Sequence, residues 1–189
     1  HMVTHKTGWA HKIVWSEDNT IDHLRARLVG RGYTQVEGRD YKSNYSSTPP
    51  IRAVRMFWAN VTYLGLIDEH CDVIKAFTQN KLDDAKLYLE QPPGIPPVLD
   101  KHGNPMVMEC IMSLEGLKQA GAIHQRNHSA TFIEWGFKQS TIEPCLFVFI
   151  ANNVIILALV WTADVLFARS NAAKEAYEEL AVREAGRLL

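Results

Sequence analysis

The chain has 189 residues, 47% hydrophobic and 22% charged, with a net charge of −1. That length fits one domain, or one domain built from two lobes, and the near-neutral balance excludes a partner recognised by bulk charge. Cys71, Cys110 and Cys145 are odd in number and far apart, which argues against a disulfide framework and for an intracellular, reducing compartment, cytoplasmic or nuclear. No secretory leader is visible in the sequence, and His1-Met2 reads as an expression remnant.

Two strand-like runs, Ala10–Trp15 and His23–Gly30, flank the turn-rich Ser16-Glu17-Asp18-Asn19-Thr20 and predict a β-hairpin. The second run, LRARLVGRG, alternates apolar residues with Arg. From residue 25 to 55 stand Arg25, Arg27, Arg31, Arg39, Lys42, Arg52 and Arg55 against Glu37 and Asp40, a local basic lobe in a near-neutral chain. A charge run of this kind suits a solvated face. Interleaved with Tyr33, Tyr41 and Tyr45, it also suits a nucleic-acid surface, where cations meet phosphate and rings stack on bases.

Ser46–Pro50 ends that lobe, with Ser47 or Thr48 as candidate helix cap. Ile51–Leu66 predicts a helix whose apolar stripe is Val54, Phe57, Trp58, Val61 and Leu64. Ile67–Val73 predicts a strand. Asp72 lies near its end, before a short amphipathic turn from Lys75 to Asn80, a position that suits a metal ligand or a cap. Lys86–Gln91 and Val107–Ser113 are strand-like, separated by a Pro/Gly loop over 92–105. Gly116–Trp135 is mostly helical, with Leu117, Ala120, Ile123, Phe132 and Ile133 as its apolar set and Gly136 at the C-cap. His124 and His128 have zinc spacing, but no Glu completes an HExxH pattern and no third ligand is near, so zinc is not expected.

Phe147–Ile150 opens a final strand group. Val154–Val160 and Val165–Ala168 read as two strands joined by Trp161-Thr162-Ala163-Asp164, a tight turn carrying one carboxylate. A charge between buried strands is costly unless it has a partner or a task. Either the turn backbone simply suits Asp, or the turn displays a metal-binding carboxylate. Asn152, Asn153 and Asp164 interrupt the apolar run from Cys145 to Ala168, so sheet is expected there and no membrane span. Ala172–Leu189 predicts a closing helix with Ala176, Leu180 and Leu188 inward and Glu178, Glu179 and Arg183 outward. Together these elements predict an α+β domain, an antiparallel sheet with helices packed on one face.

RARLVGRGYTQVEGRDY, CDVIKAFTQNKLDDAKLYLEQPPG, SLEGLKQA, GFKQSTIEPCLFVF and LALVWTADVLFA follow one another in the order and spacing of the reverse transcriptase of copia-type LTR retrotransposons. The chain resembles that family over nearly its whole length, from Lys12 to Leu189. The resemblance implies the fingers and palm of a right-hand polymerase, a fingers-like basic β-hairpin lobe over 3–50 and a palm-like part over 51–189. As a departure from the family, no thumb or ribonuclease H domain is expected in this stretch. The resemblance also implies two-metal nucleotidyl transfer, in which two Mg²⁺ about 3.5–4 Å apart clamp the attacking hydroxyl and the triphosphate. By resemblance, Asp72 and Asp164 match metal-binding catalytic carboxylates. Phe77 matches the aromatic that senses the sugar 2′-position, and Gln119 a template- and nucleotide-contacting Gln. Arg25 and Arg27 match the basic pair that faces triphosphate or template.

The departures from that pattern set the functional expectation. The family's YVDD turn reads Trp161-Thr162-Ala163-Asp164, so Ala163 stands at the missing shared ligand. Loss of such a carboxylate costs on the order of 5 kcal/mol of transition-state stabilisation. DVKTAF has become DVIKAF. In the GLKQ segment the Tyr, Pro, Arg and Trp of the family pattern are replaced by Glu115, Gly121, Ala122 and His124. The expectation is a degenerate, domesticated pseudoenzyme whose fold is reused to bind an RNA/DNA primer–template, a protein partner or a second copy of itself. The alternative is an RNA-directed DNA polymerase fragment, cut short or inactivated. Any Mg²⁺ is expected to be weakly held.

Overall fold

The computed structural model of the protein describes residues 3–82, 85–175, 177 and 178. Its elements in chain order are β1 (Thr4–His5), β2 (Thr7–Trp15), β3 (Ile21–Gly30), α1 (Ile51–Leu64), β4 (Ile67–Asp72), β5 (Tyr88–Leu89), β6 (Met108–Glu109), α2 (Ala120–Glu134), β7 (Lys138–Gln139), β8 (Leu146–Ala151), β9 (Val154–Trp161) and β10 (Asp164–Arg169). The class is a sheet-rich α+β fold. The chain forms two compact units, one from residues up to 44 and 77–123, the other from 45–76 and 124 onward.

In the first unit β2 and β3 make a long two-stranded ribbon. Its turn holds because Ser16 and Thr20 bond the Asp18 carboxylate and Asn19 takes a positive φ of 60°, the setting Asn tolerates. Cross-strand partners share a face. Trp9 and Leu28, His11 and Ala26, and Ile13 and Leu24 therefore lie on one side, and Ala10 and Arg27, Lys12 and Arg25, and Val14 and His23 on the other. One side is apolar, the other basic. A second sheet has the order β1-β5-β6. The expected strands over 86–91 and 107–113 shrink to two residues each, because prolines 92 and 93 end the first and both find only two-residue partners. Leu87, Leu117 and Ala120 form the buried cluster of this unit.

The ribbon's end is fixed by backbone meeting backbone. Gly30 N–H donates to Glu115 O at 2.8 Å and Gly32 N–H to Gly116 O at 3.0 Å. A Cβ on Gly32 would lie 2.2 Å from Gly116 O, and one on Gly116 would lie 2.2 Å from Gly30 O. Thus the RARLVGRG and LEGLKQA segments are tied through glycines that admit no side chain.

The second unit is a five-stranded antiparallel sheet of order β4-β10-β9-β8-β7. Its faces separate by the period of two. Ile156, Ala158 and Val160 join Phe132, Phe147, Val165 and Phe167 in one cluster, whereas Leu157 and Leu159 join Phe57, Val61 and Ala168 in another. Since Phe132 is on α2 and Phe57 and Val61 are on α1, the helices cover opposite faces. This corrects the expectation of helices on one face: β9 is apolar on both sides, and a strand apolar on both sides needs cover on both.

Other expectations shift with the same physics. α1 starts after Pro50, with no side-chain cap bond. Ser47 and Thr48 lie too early to cap it, and Ser47 N–H instead donates to Gln125 Oε1. Trp58 and Leu64 are exposed, and so is Ile133 of α2, so each apolar stripe is narrower than its pattern. Gly136 does close α2, at φ 89°. The expected closing helix begins as a 3-10 turn, Asn171–Ala173. Ala176, Glu179, Leu180, Arg183 and Leu188 lie outside the described residues. Among those described, no helix is long and apolar enough to cross a membrane. All three cysteines are free, and burial with Glu143 nearby pushes the Cys145 thiol up to about 12, which makes it inert at neutral pH.

Candidate functional site

The two expected metal carboxylates meet at one end of the β4–β10 pair in the second unit. β9 turns into β10 through Thr162 and Ala163, a two-residue hairpin turn. Thr162 sits at φ 50°, a left-handed setting that costs an L-residue about 1–2 kcal/mol. Its neighbourhood holds it there. His124 Nε2 donates to Thr162 O at 2.8 Å, and Val73 N–H donates to Ala163 O at 2.7 Å. The antiparallel register then places Asp164 directly opposite Asp72, so both carboxylates leave the same face of the sheet.

His70 shares that face, two residues before Asp72. Its Nε2–H donates to Asp164 Oδ1 at 3.1 Å; a carboxylate only accepts, which fixes the direction. Ala163 packs its methyl against the apolar cluster of Val73, Val165 and Phe132. Mg²⁺ takes six oxygens in octahedral geometry. Asp72 and Asp164 supply two carboxylates and Ala163 none, and no group of three or more His, Cys, Asp or Glu side chains among the described residues is arranged to hold a metal. These donors do not fit a clamp for two ions.

The expected nucleotide and template contacts all fall in the first unit. Arg25 is exposed on the basic side of the ribbon, directly across from Lys12. Arg27 Nη1 bonds Glu115 Oε1 at 2.9 Å, so the new carboxylate in the GLKQ segment neutralises one member of the basic pair. Phe77 is half-buried against Leu87, Leu117 and Ala120. Gln119 is fully buried. Its Oε1 accepts from Gln35 Nε2 at 3.0 Å and its Nε2 donates to Asp40 O at 3.2 Å, which commits both ends of the amide inside the unit.

Sequence reasoning missed His70, His124's bond to the turn and the Asp40 cluster. His70 was discoverable, because alternation along β4 places it on the face of Asp72. Asp40 is buried and receives Arg39 Nε and Nη2 and Val36 N–H at 2.7–2.9 Å, with His5 Nε2 3.5 Å away. The Arg39 guanidinium, chiefly, holds its carboxyl down from 3.8 to about 2. A depressed folded value means stability present above pH 3.8 and lost as pH falls toward 2. Acid titration of the wild type should therefore show up to about 2 kcal/mol of loss across that window. In Asp40→Asn that increment should vanish; an unchanged acid limb would refute the assignment.

The family model described as "Reverse transcriptase (RNA-dependent DNA polymerase)" matches residues 3–182. The chain belongs to the reverse transcriptase family, in its copia-type retrotransposon branch. It is 30% identical over 169 residues to the Retrovirus-related Pol polyprotein from transposon RE1 of Arabidopsis thaliana, covering 88% of this chain and 11% of that protein. It is 29% identical over 158 residues to the corresponding polyprotein of transposon RE2 from the same plant, covering 84% and 11%. Against that of transposon TNT 1-94 of Nicotiana tabacum, identity is 30% over 156 residues, covering 82% and 11%. The chain thus spans about a tenth of the length of these curated relatives. No solved structure matches it.

Proposed function

We propose that this is the fingers and palm of a right-hand polymerase fold that no longer performs two-metal nucleotidyl transfer and has been kept as a nucleic-acid-binding module. In this reading the basic ribbon lobe, within residues 3–50, plays the fingers' part, and the sheet bearing Asp72 and Asp164, within 51–189, the palm's. The observation that carries the loss of chemistry is Ala163, whose methyl packs on the core where the resemblance requires a carboxylate. Nucleic-acid binding is supported by the ribbon, where Lys12 faces Arg25 with no acidic side chain of the described residues paired to either. Like charges directly across a strand pair repel, and a phosphate between them relieves this.

The test is fluorescence anisotropy of the chain with a short RNA–DNA primer–template across a salt series. The expected result is saturable binding with a negative slope of log K against log salt, reduced by about one in Arg25→Ala. Primer extension with Mg²⁺ should be absent, in the wild type and in Ala163→Asp. Failure to bind at low salt would refute the nucleic-acid role and direct the search to a protein partner or self-association. Extension by Ala163→Asp alone would establish the competing reading, a polymerase fragment needing only its lost ligand, which the retained pairing of Asp72 with Asp164 favours; extension by the wild type would refute the loss of chemistry outright.

A further inference from the structure

We propose that the apolar side of the β2–β3 ribbon is a self-association face, on which a second copy of this chain seats its own ribbon. Face to face, the two ribbons make a small four-stranded sandwich. The proposal stands apart from nucleic-acid binding, because it uses the side of the ribbon away from Lys12 and Arg25.

No other described strand pairs with β2 or β3, and residues 9–13 and 21–27 are exposed whichever side they leave. A two-stranded ribbon is marginal in water unless something covers a face. The bonds at Gly30 and Gly32 secure only its end. Beyond that end the apolar side shows Trp9, Ile13, Trp15, Ile21 and Leu24 to solvent, with Leu24 75% and Trp15 58% exposed. Trp15 and Ile21 are cross-strand partners past the bulge at Val14 and continue the same side.

Charge and area select the occupant. The strand residues of this side carry one ionisable group, His11, while Lys12, Arg25 and Arg27 leave the opposite side. A nucleic acid, an acidic peptide or an anionic membrane therefore finds no cation here to pair with. An identical face brings no row of like charges against it. The exposed apolar side chains present roughly 600 Å² per copy, so two copies bury about 1,200 Å², the lower end for a specific complex. A contact of that size makes a weak dimer. Because the same patch serves both copies, the contact closes at two and builds no longer assembly.

Sedimentation velocity of the whole chain, without nucleic acid and over a concentration series, is the test. A monomer–dimer equilibrium is expected, with a dissociation constant of about 1–10 μM. Leu24→Lys should weaken it by more than about tenfold, because two-fold symmetry puts the new charge into the contact twice. Ile13→Thr keeps a β-branched residue in the strand, so it guards against a misfolded Lys variant, and it should weaken the dimer as well. Ala10→Thr, on the opposite side, should leave the dimer unchanged. A chain that stays monomeric up to about 100 μM would overturn the proposal. So would a dimer or an open-ended assembly that both face variants leave intact, or one that Ala10→Thr disrupts equally. Anisotropy with nucleic acid reads the preceding proposal and sedimentation this one, so each can fail alone.

Discussion

Gly116→Ala should unfold the first unit, lowering its stability by about 4 kcal/mol or more, in the range reserved for severe backbone damage. Two effects add. Gly116 has φ 87°, which L-residues rarely adopt, and an added Cβ would sit 2.2 Å from Gly30 O. That oxygen belongs to backbone already bonded at Gly30 and Gly32, so it cannot yield as the end of a flexible side chain does. Gly32→Ala separates the two effects, since it makes an equal 2.2 Å clash with Gly116 O without a left-handed φ. It should be damaging, but less so. Urea unfolding gives the magnitude, and hydrogen exchange at the amides of Gly30 and Gly32 locates it. A loss under 1 kcal/mol in Gly116→Ala would mean that the two segments are not docked as described.

Phe132→Ala should cost the second unit about 3–5 kcal/mol. Phe132 is fully buried, and its ring lies 5.0 Å from Phe147, 5.1 Å from Phe137 and 5.9 Å from Phe167. It is where α2 meets three other parts of this unit, and no flexible neighbour can collapse into the space it leaves. Trp135, 5.7 Å from the ring, reports the change by fluorescence. Phe132→Leu, which keeps most of the volume, should lose far less; equal losses would show that the site tolerates a void and that the packing argument is wrong.

These two positions show what the sequence could and could not tell. Phe132 was legible: it falls on a helical stripe, and the hairpins at 10–30 and 154–168 were legible from alternation and turn chemistry. Gly116 was visible only as part of a motif, because a close approach between segments about 85 positions apart leaves no periodic trace. The placement of α1 and α2 on opposite faces was likewise hidden. A strand apolar on both sides says that it is covered twice, not by what. At the candidate site, Asp72 and Asp164 were found through motif order, whereas their register belongs to the long-range pairing of β4 with β10 and not to the β9–β10 hairpin. The Arg27–Glu115 and Gln35–Gln119 bonds were not found, since a side chain's choice between a ligand and an internal partner depends on distances that only the folded chain sets.

The chain's path through its two units also has a consequence for biosynthesis. Protein emerges from the ribosome N-terminus first, and domains close as their parts become available. The ribbon forms early, but the glycine docking of its end must wait for residue 116. β4 waits longer, because His70 and Asp164 are 94 positions apart, with about half of the other unit synthesised between them. During that interval β4 is a bare edge. Its sequence, IDEHCD, is unusually charged for a strand, and charged side chains are how proteins keep unpaired edges from finding the wrong partner. The residues that make β4 look like a site therefore also make it safe to leave open while the chain is completed.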